Sequence, residues 1–258
     1  MFFKLLKYDL KSIYKSILII DIVMILACGL TLGTANTRFK NDIILGILGM
    51  TTSFIIIGAI VVYFYTILKR YSKSIYGNEG YLLNTLPVKP WEIVLSKIVS
   101  AIIMGILTLL CGILCIFIFF MSVNIHISDI IYLFNYYGYN IFLSLLLFGF
   151  MCVLATIVEI IKIYAVISIA HISIFDRFRV IFGIVLYFII MQLESLFIEF
   201  SFGNILYNFD NLTELTQASE LLSSFNMYNI ASIIYCIVMG IIWYFISVTV
   251  INKKLYVK

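Results

Sequence analysis

Charge is what this sequence has least of. Only 12% of its 258 residues are Asp, Glu, Lys or Arg, against about a quarter in soluble globular domains, and this excludes an ordinary soluble fold. Proline is nearly missing: Pro87 and Pro90 are the two present, both in one short stretch, so proline interrupts no helix elsewhere. Histidine is limited to His126 and His171. There is no Gly-x-x-x-x-Gly-Lys-Ser/Thr loop to cradle a phosphate, no Gly-x-Ser-x-Gly elbow and no His-Glu-x-x-His pair. Catalytic chemistry by this chain therefore has no constellation to stand on, and the expectation is a non-enzyme that binds no cofactor or metal and no nucleic acid. The five cysteines (Cys28, Cys111, Cys115, Cys152 and Cys236) all fall inside apolar runs. Cys111 and Cys115 share a helix face at i,i+4 without a His or carboxylate beside them, so all five read as small buried hydrophobes.

What the chain has in abundance is apolar length. Hydrophobic residues make up 64% of it and the mean hydropathy is +1.14. They gather into runs of about 20 or more, the length that crosses a ~30 Å hydrocarbon core as a helix. The fold class expected is an all-α polytopic membrane protein, a single membrane domain over 1–258. Its six spans are expected at about 17–34, 43–68, 93–121, 141–172, 180–197 and 229–251. Residues 1 to 16 read as an amphipathic helix on the membrane surface. Phe3, Leu6, Leu10, Ile13 and Ile17 recur at three- and four-residue spacing, with Lys4, Lys7, Lys11, Lys15 and Asp9 on the remainder. Nothing there resembles a cleavable signal peptide. The fourth run, extended through 175, would measure about 50 Å as a helix, so it must tilt, protrude or break.

Lys and Arg fix the orientation expected. Placing the N-terminus, the 71–91 loop with its flanking Lys69, Arg70 and Lys97, the turn at Asp176–Arg179 and the C-terminus in the cytoplasm leaves only Arg38, Lys40 and Lys162 outside that group. On this reading both termini are cytoplasmic and His126 and His171 lie on opposite sides, unable to share a metal. No basic residue occurs between Val180 and Asn252, where Glu194, Glu199, Asp210, Glu214 and Glu220 read as external. Asn211, with Glu214 three residues on, has the pattern of a capping box. It predicts a short external helix carrying Glu214 and Glu220 before the sixth span, placed to attract or release cationic cargo.

The charged, turn-rich stretch Tyr76-Gly77-Asn78-Glu79-Gly80-Tyr81-Leu82-Leu83-Asn84-Thr85-Leu86-Pro87-Val88 organises the rest. It resembles the segment after the second span in ABC-2 type transporter permeases of Gram-positive bacteria, where Glu-Gly-Tyr-Leu and Thr-Leu-Pro-Val runs are common. The match continues through Leu95-Ser96-Lys97, and the basic start Leu5-Leu6-Lys7-Tyr8-Asp9-Leu10 fits as well. Size and layout look like the permeases of peptide exporters, including those that expel phenol-soluble modulins. The resemblance implies a permease subunit in a bacterial plasma membrane. Two copies of a separate ATPase would hydrolyse ATP with Mg, and a second permease would complete a homodimer or heterodimer.

A membrane domain driven from the cytoplasm needs a rigid piece that fits its ATPase. Ile75, Leu82 and Leu86 fall at i, i+7 and i+11 with Glu79 on the same stripe, so a short coupling helix would set apolar anchors around one carboxylate. Gly80, Tyr81 and Leu83 belong to the same segment, and Pro87 ends it. The alternative is an ordinary loop, or a membrane anchor or sensor that recruits a partner through 71–91 without transport. Glu159 and Lys162, one turn apart inside the fourth run, are the intramembrane polar pair. They either line a path or a subunit contact, or simply neutralise each other, with Lys162 snorkelling.

Overall fold

The computed structural model describes residues 2–35, 42–77, 80, 88–122, 138–172, 178–212 and 218–256. Six long helices account for nearly all of them: α1 (Phe2–Ala35), α2 (Asp42–Tyr76), α3 (Pro90–Ser122), α4 (Tyr139–Ala170), α5 (Arg179–Leu212) and α6 (Ala218–Tyr256). No strand occurs among the described residues. Each helix contains a stretch long and apolar enough to cross a membrane, and the chain is a multi-pass, all-helical membrane protein. It divides into two compact units, Met1–Ile131 and Tyr132–Lys258.

In the first unit α1 packs chiefly on α3 and next on α2. The reason is legible in which residues α1 buries: Asp9, Ile13, Ile17, Asp21, Met24, Cys28 and Thr31, a stripe of three- and four-residue steps down one face. Ile13 and Ile17 meet Met104, with Leu10 and Tyr63 against them. Further along, Met24, Cys28, Ala59 and Cys115 form a second cluster. On α3 the residues Ser96, Ser100 and Ala101 are all buried, and such small side chains let helix backbones approach closely, as membrane packing requires.

The expected interfacial helix over 1–16 is not a separate element. One helix of 34 residues runs from Phe2 to Ala35. Phe3, placed on the apolar stripe by periodicity, is 81% exposed, whereas Asp9, assigned to the polar face, is 2% exposed. The physical reason is an ionic partner on α3: Lys97 donates to Asp9, which turns that edge of the helix inward.

Tyr63 donates its hydroxyl to the Ala101 carbonyl at 2.8 Å, and Gly105, one turn later, leaves room for the ring. A Cβ at Gly105 would stand 2.5 Å from the Tyr63 hydroxyl oxygen. Gly105→Val should therefore displace Tyr63 and cost about 1–3 kcal/mol as an overpacked site. This is read as a lower thermal midpoint of the purified protein, and Tyr63→Phe in the same background should recover part of the loss.

In the second unit α4 pairs mainly with α6, and α5 lies against both. Among the described side chains of α6, Asn229, Cys236, Trp243, Ser247 and Ile251 are buried, spaced by sevens and fours as a seam for a neighbouring helix. Within the fourth apolar run one helix, Tyr139–Ala170, is continuous: Gly138, at φ 79, precedes it, and His171 caps its other end. The His171 ring nitrogen Nδ1 lies 2.8 Å from the Ile167 carbonyl oxygen.

The short external helix before the last span is also corrected. Asn211 and Leu212 are the final residues of α5, and α6 runs unbroken from Ala218, so Asn211 caps no helix starting at Leu212. Helical hydrogen bonding continues through the mixed-polarity residues at 222–228 because the neighbouring helix gives them a face to bury: Phe225 lies against Phe148 of α4. Glu214 lies outside the described residues, and Glu220 falls in the first turn of α6. Finally, the cysteines divide. Cys28, Cys115 and Cys236 are buried, Cys111 is half-buried, and Cys152 is exposed rather than buried; all five are free thiols.

Candidate functional site

Each unit is tied together by one buried ion cluster that draws on all three of its helices. In the first unit the centre is Asp9 of α1. Lys97 of α3 donates to its Oδ1, Ser96 donates to its Oδ2 at 3.2 Å, and Arg70 of α2 approaches Oδ1 at 3.6 Å. The Arg70 guanidinium also lies over the Tyr8 ring, 5.9 Å from its centroid. Asp9 and Lys97 are nearly sealed, with side chains 3% and 5% exposed. Charges this deep persist only when paired and hydrogen-bonded.

The position of this cluster matters as much as its chemistry. Arg70 lies near the end of α2 and Lys97 near the start of α3, so Asp9 grips both stems of the segment that joins those helices. Helix α2 does not stop with its apolar run at 68 but continues to Tyr76, carrying Arg70 to the carboxylate. At the other stem Pro90 opens α3, where a missing N–H costs nothing, and the Lys89 carbonyl accepts from Glu92 at 3.0 Å.

Of the residues expected to couple to an ATPase, Ile75 is half-buried in the last turn of α2 and Gly80 is buried. Gly80 donates its N–H to the Gly77 carbonyl at 2.9 Å. A Cβ on Gly80 would collide with the Ile75 carbonyl oxygen, and one on Gly77 would come within 2.5 Å of the Lys73 carbonyl oxygen. The two glycines thus permit the chain to fold back tightly as α2 ends. Glu79, Tyr81, Leu82, Leu83, Leu86 and Pro87 lie outside the described residues.

The second unit holds the pair expected from sequence, enlarged. Lys162 of α4 donates to Glu159 Oε1 at 2.6 Å and to Glu194 Oε2, on α5, at 2.7 Å. Tyr187 donates to Glu159 Oε2 at 3.2 Å, and Trp243 of α6 donates through Nε1 to Glu194 Oε1 at 3.1 Å. Every carboxylate oxygen of the pair has a donor. The Lys162 ammonium also stands over the Tyr187 ring, 5.7 Å from its centroid. Glu194, read from sequence as one of a run of external acids, is instead the second counter-ion of Lys162. The Lys162 side chain is 2% exposed, while that of Glu159 is 38% exposed.

Asp21 is an ionisable residue that sequence reading passed over. It is 1% exposed, and neither carboxylate oxygen has a hydrogen-bond partner among the described residues. A lone acid inside the first apolar run was visible in the sequence. Asn229 of α6 is fully buried and its amide likewise bonds to nothing among the described residues. No group of three or more His, Cys, Asp or Glu side chains is arranged to hold a metal among the described residues.

Comparison with protein-family models, with curated proteins and with solved structures finds no match to this chain.

Proposed function

We propose that this chain is the membrane-spanning permease subunit of an ATP-driven exporter of the ABC-2 type, moving amphipathic peptides or other hydrophobic compounds out of a bacterial cell by alternating access. The observation that carries the reading is the buried Asp9 cluster at the root of the 77–89 segment, the same segment whose Glu-Gly-Tyr-Leu and Thr-Leu-Pro-Val runs resemble those permeases. A loop that serves only as a connection needs no such anchorage. A loop that must deliver a push to the spans needs rigid stems, and Asp9 ties α2 and α3 to α1 at that root. Six long apolar helices suit apolar cargo better than sugars or ions.

In this reading both termini and the loop face the cytoplasm, two copies of a separate ATPase supply ATP hydrolysis with Mg, and a second permease completes the complex. Movement of the ATPase is transmitted through Ile75, Glu79, Leu82 and Leu86 into the ends of α2 and α3, and through Asp9 into α1.

The test is to co-purify the chain with its ATPase and measure cargo-stimulated hydrolysis in proteoliposomes. Glu79→Ala or Leu82→Asp should leave the chain inserted and weaken the complex by about 2 kcal/mol or more, as loss of a central interface anchor does, or roughly 30-fold in affinity. Unchanged assembly and transport in both variants would remove the coupling role. Assembly without any cargo-stimulated hydrolysis would point instead to an anchor that recruits a partner without transport.

A further inference from the structure

The second unit contains a cavity of about 220 Å³ bordered by α4, α5 and α6. Glu159, Lys162 and Glu194 supply its charges, and Met151, Met239 and Tyr228 are among the other residues that line it. Ligand pockets for whole drug-sized molecules run to roughly 300–1,000 Å³, so this one suits a headgroup or a single side chain. Its charge is unbalanced: one ammonium stands between two carboxylates. An excess negative charge in a membrane-spanning bundle is costly, and a cation entering the cavity cancels it. Glu159 is the open end of the cluster, far more exposed than Lys162. Lys162 and Glu194 form the closed pair behind it. Thioether and phenol walls suit an alkyl chain and the face of a cation.

We infer that this cavity binds a primary ammonium borne at the end of an apolar chain, with Glu159 accepting its N–H groups. Lysine of an amphipathic peptide and the amine of a phospholipid headgroup share this chemistry. The role as a cargo site rests on the export reading; the binding itself does not, and it is measured without an ATPase.

Trp243 supplies the signal. It and Trp91 are the two tryptophans of the chain, and Trp243 donates to Glu194. In a Trp91→Phe background, in nanodiscs of phosphatidylcholine and phosphatidylglycerol, dodecylammonium should change Trp243 fluorescence saturably, and dodecanol should not. Glu159→Gln should weaken the response at least tenfold. Ala155→Leu, which fills the cavity without altering charge, should abolish it. A Leu/Lys amphipathic peptide that displaces dodecylammonium assigns the site to cargo, and displacement by phosphatidylethanolamine added to the discs assigns it to lipid. A response equal for amine and alcohol overturns the inference. So does an affinity unaffected by Glu159→Gln, or a fluorescence change driven by pH alone with no effect of the amine.

Discussion

Lys162→Met should be among the most damaging single substitutions in the second unit. The ammonium is the shared partner of Glu159 and Glu194, and its removal leaves two carboxylates with Tyr187 and Trp243 as their donors among the described residues. Breaking a buried ion cluster by deleting one partner costs about 3–5 kcal/mol. At roughly 2–4 °C per kcal/mol for a chain of this size, the thermal midpoint in detergent should fall by about 6–20 °C, with a matching loss of folded yield. Adding Glu159→Gln and Glu194→Gln should recover most of that loss, because replacing a whole buried cluster by neutral groups is often nearly neutral. A Lys162→Met variant as stable as the parent would mean that the cluster bears no structural load. If the triple variant is stable and still exports, the cluster serves folding alone; if it is stable and export is lost, its charge is part of transport.

The fold was readable because membrane physics leaves few choices. With no water to satisfy backbone polar groups, an apolar run of sufficient length is a helix, and all six expected spans lie in or close to helices of the structure. Helix ends were harder. Composition ends a span where polar residues begin, but α2 continues to Tyr76 and α6 begins by Ala218. Those extra turns are held by tertiary partners: Asp9 for Arg70, and Phe148 for Phe225.

The site was half legible for a related reason. Glu159 and Lys162 stand three residues apart, so helical spacing alone brings them together. Glu194 is 32 residues from Lys162 and Trp243 is 49 from Glu194, and no periodicity announces such pairs. The same holds for Asp9 and Lys97, 88 apart. Among four nearby lysines Asp9 reads as one more surface charge. The available signal was that Lys97, in the opening turns of an apolar helix, needs a carboxylate, and that Asp9, in the opening turns of α1, could supply one.

Asp9 offers the second large effect and the sharper functional one. Asp9→Ala removes the acceptor of Lys97, Ser96 and Arg70 together and leaves the Lys97 ammonium facing an apolar side chain at a nearly sealed position. The loss should again be about 3–5 kcal/mol, seen as low folded yield and a depressed thermal midpoint. The double variant Asp9→Asn with Lys97→Met keeps the volume and removes both charges, and it should regain much of the stability; the two sites touch, so their effects should not add. It cannot regain the clamp. The ionic tie that Asp9 makes from α1 to Lys97 and Arg70, at the stems of the 77–89 segment, is then gone, while the residues proposed to meet the ATPase are untouched. On the proposed export reading, the double variant should therefore still bind the ATPase with parental affinity, yet cargo should no longer stimulate hydrolysis. Full stimulation in a stable double variant would show that force reaches α1 by another route, through the apolar contacts of Ile13, Ile17 and Met104.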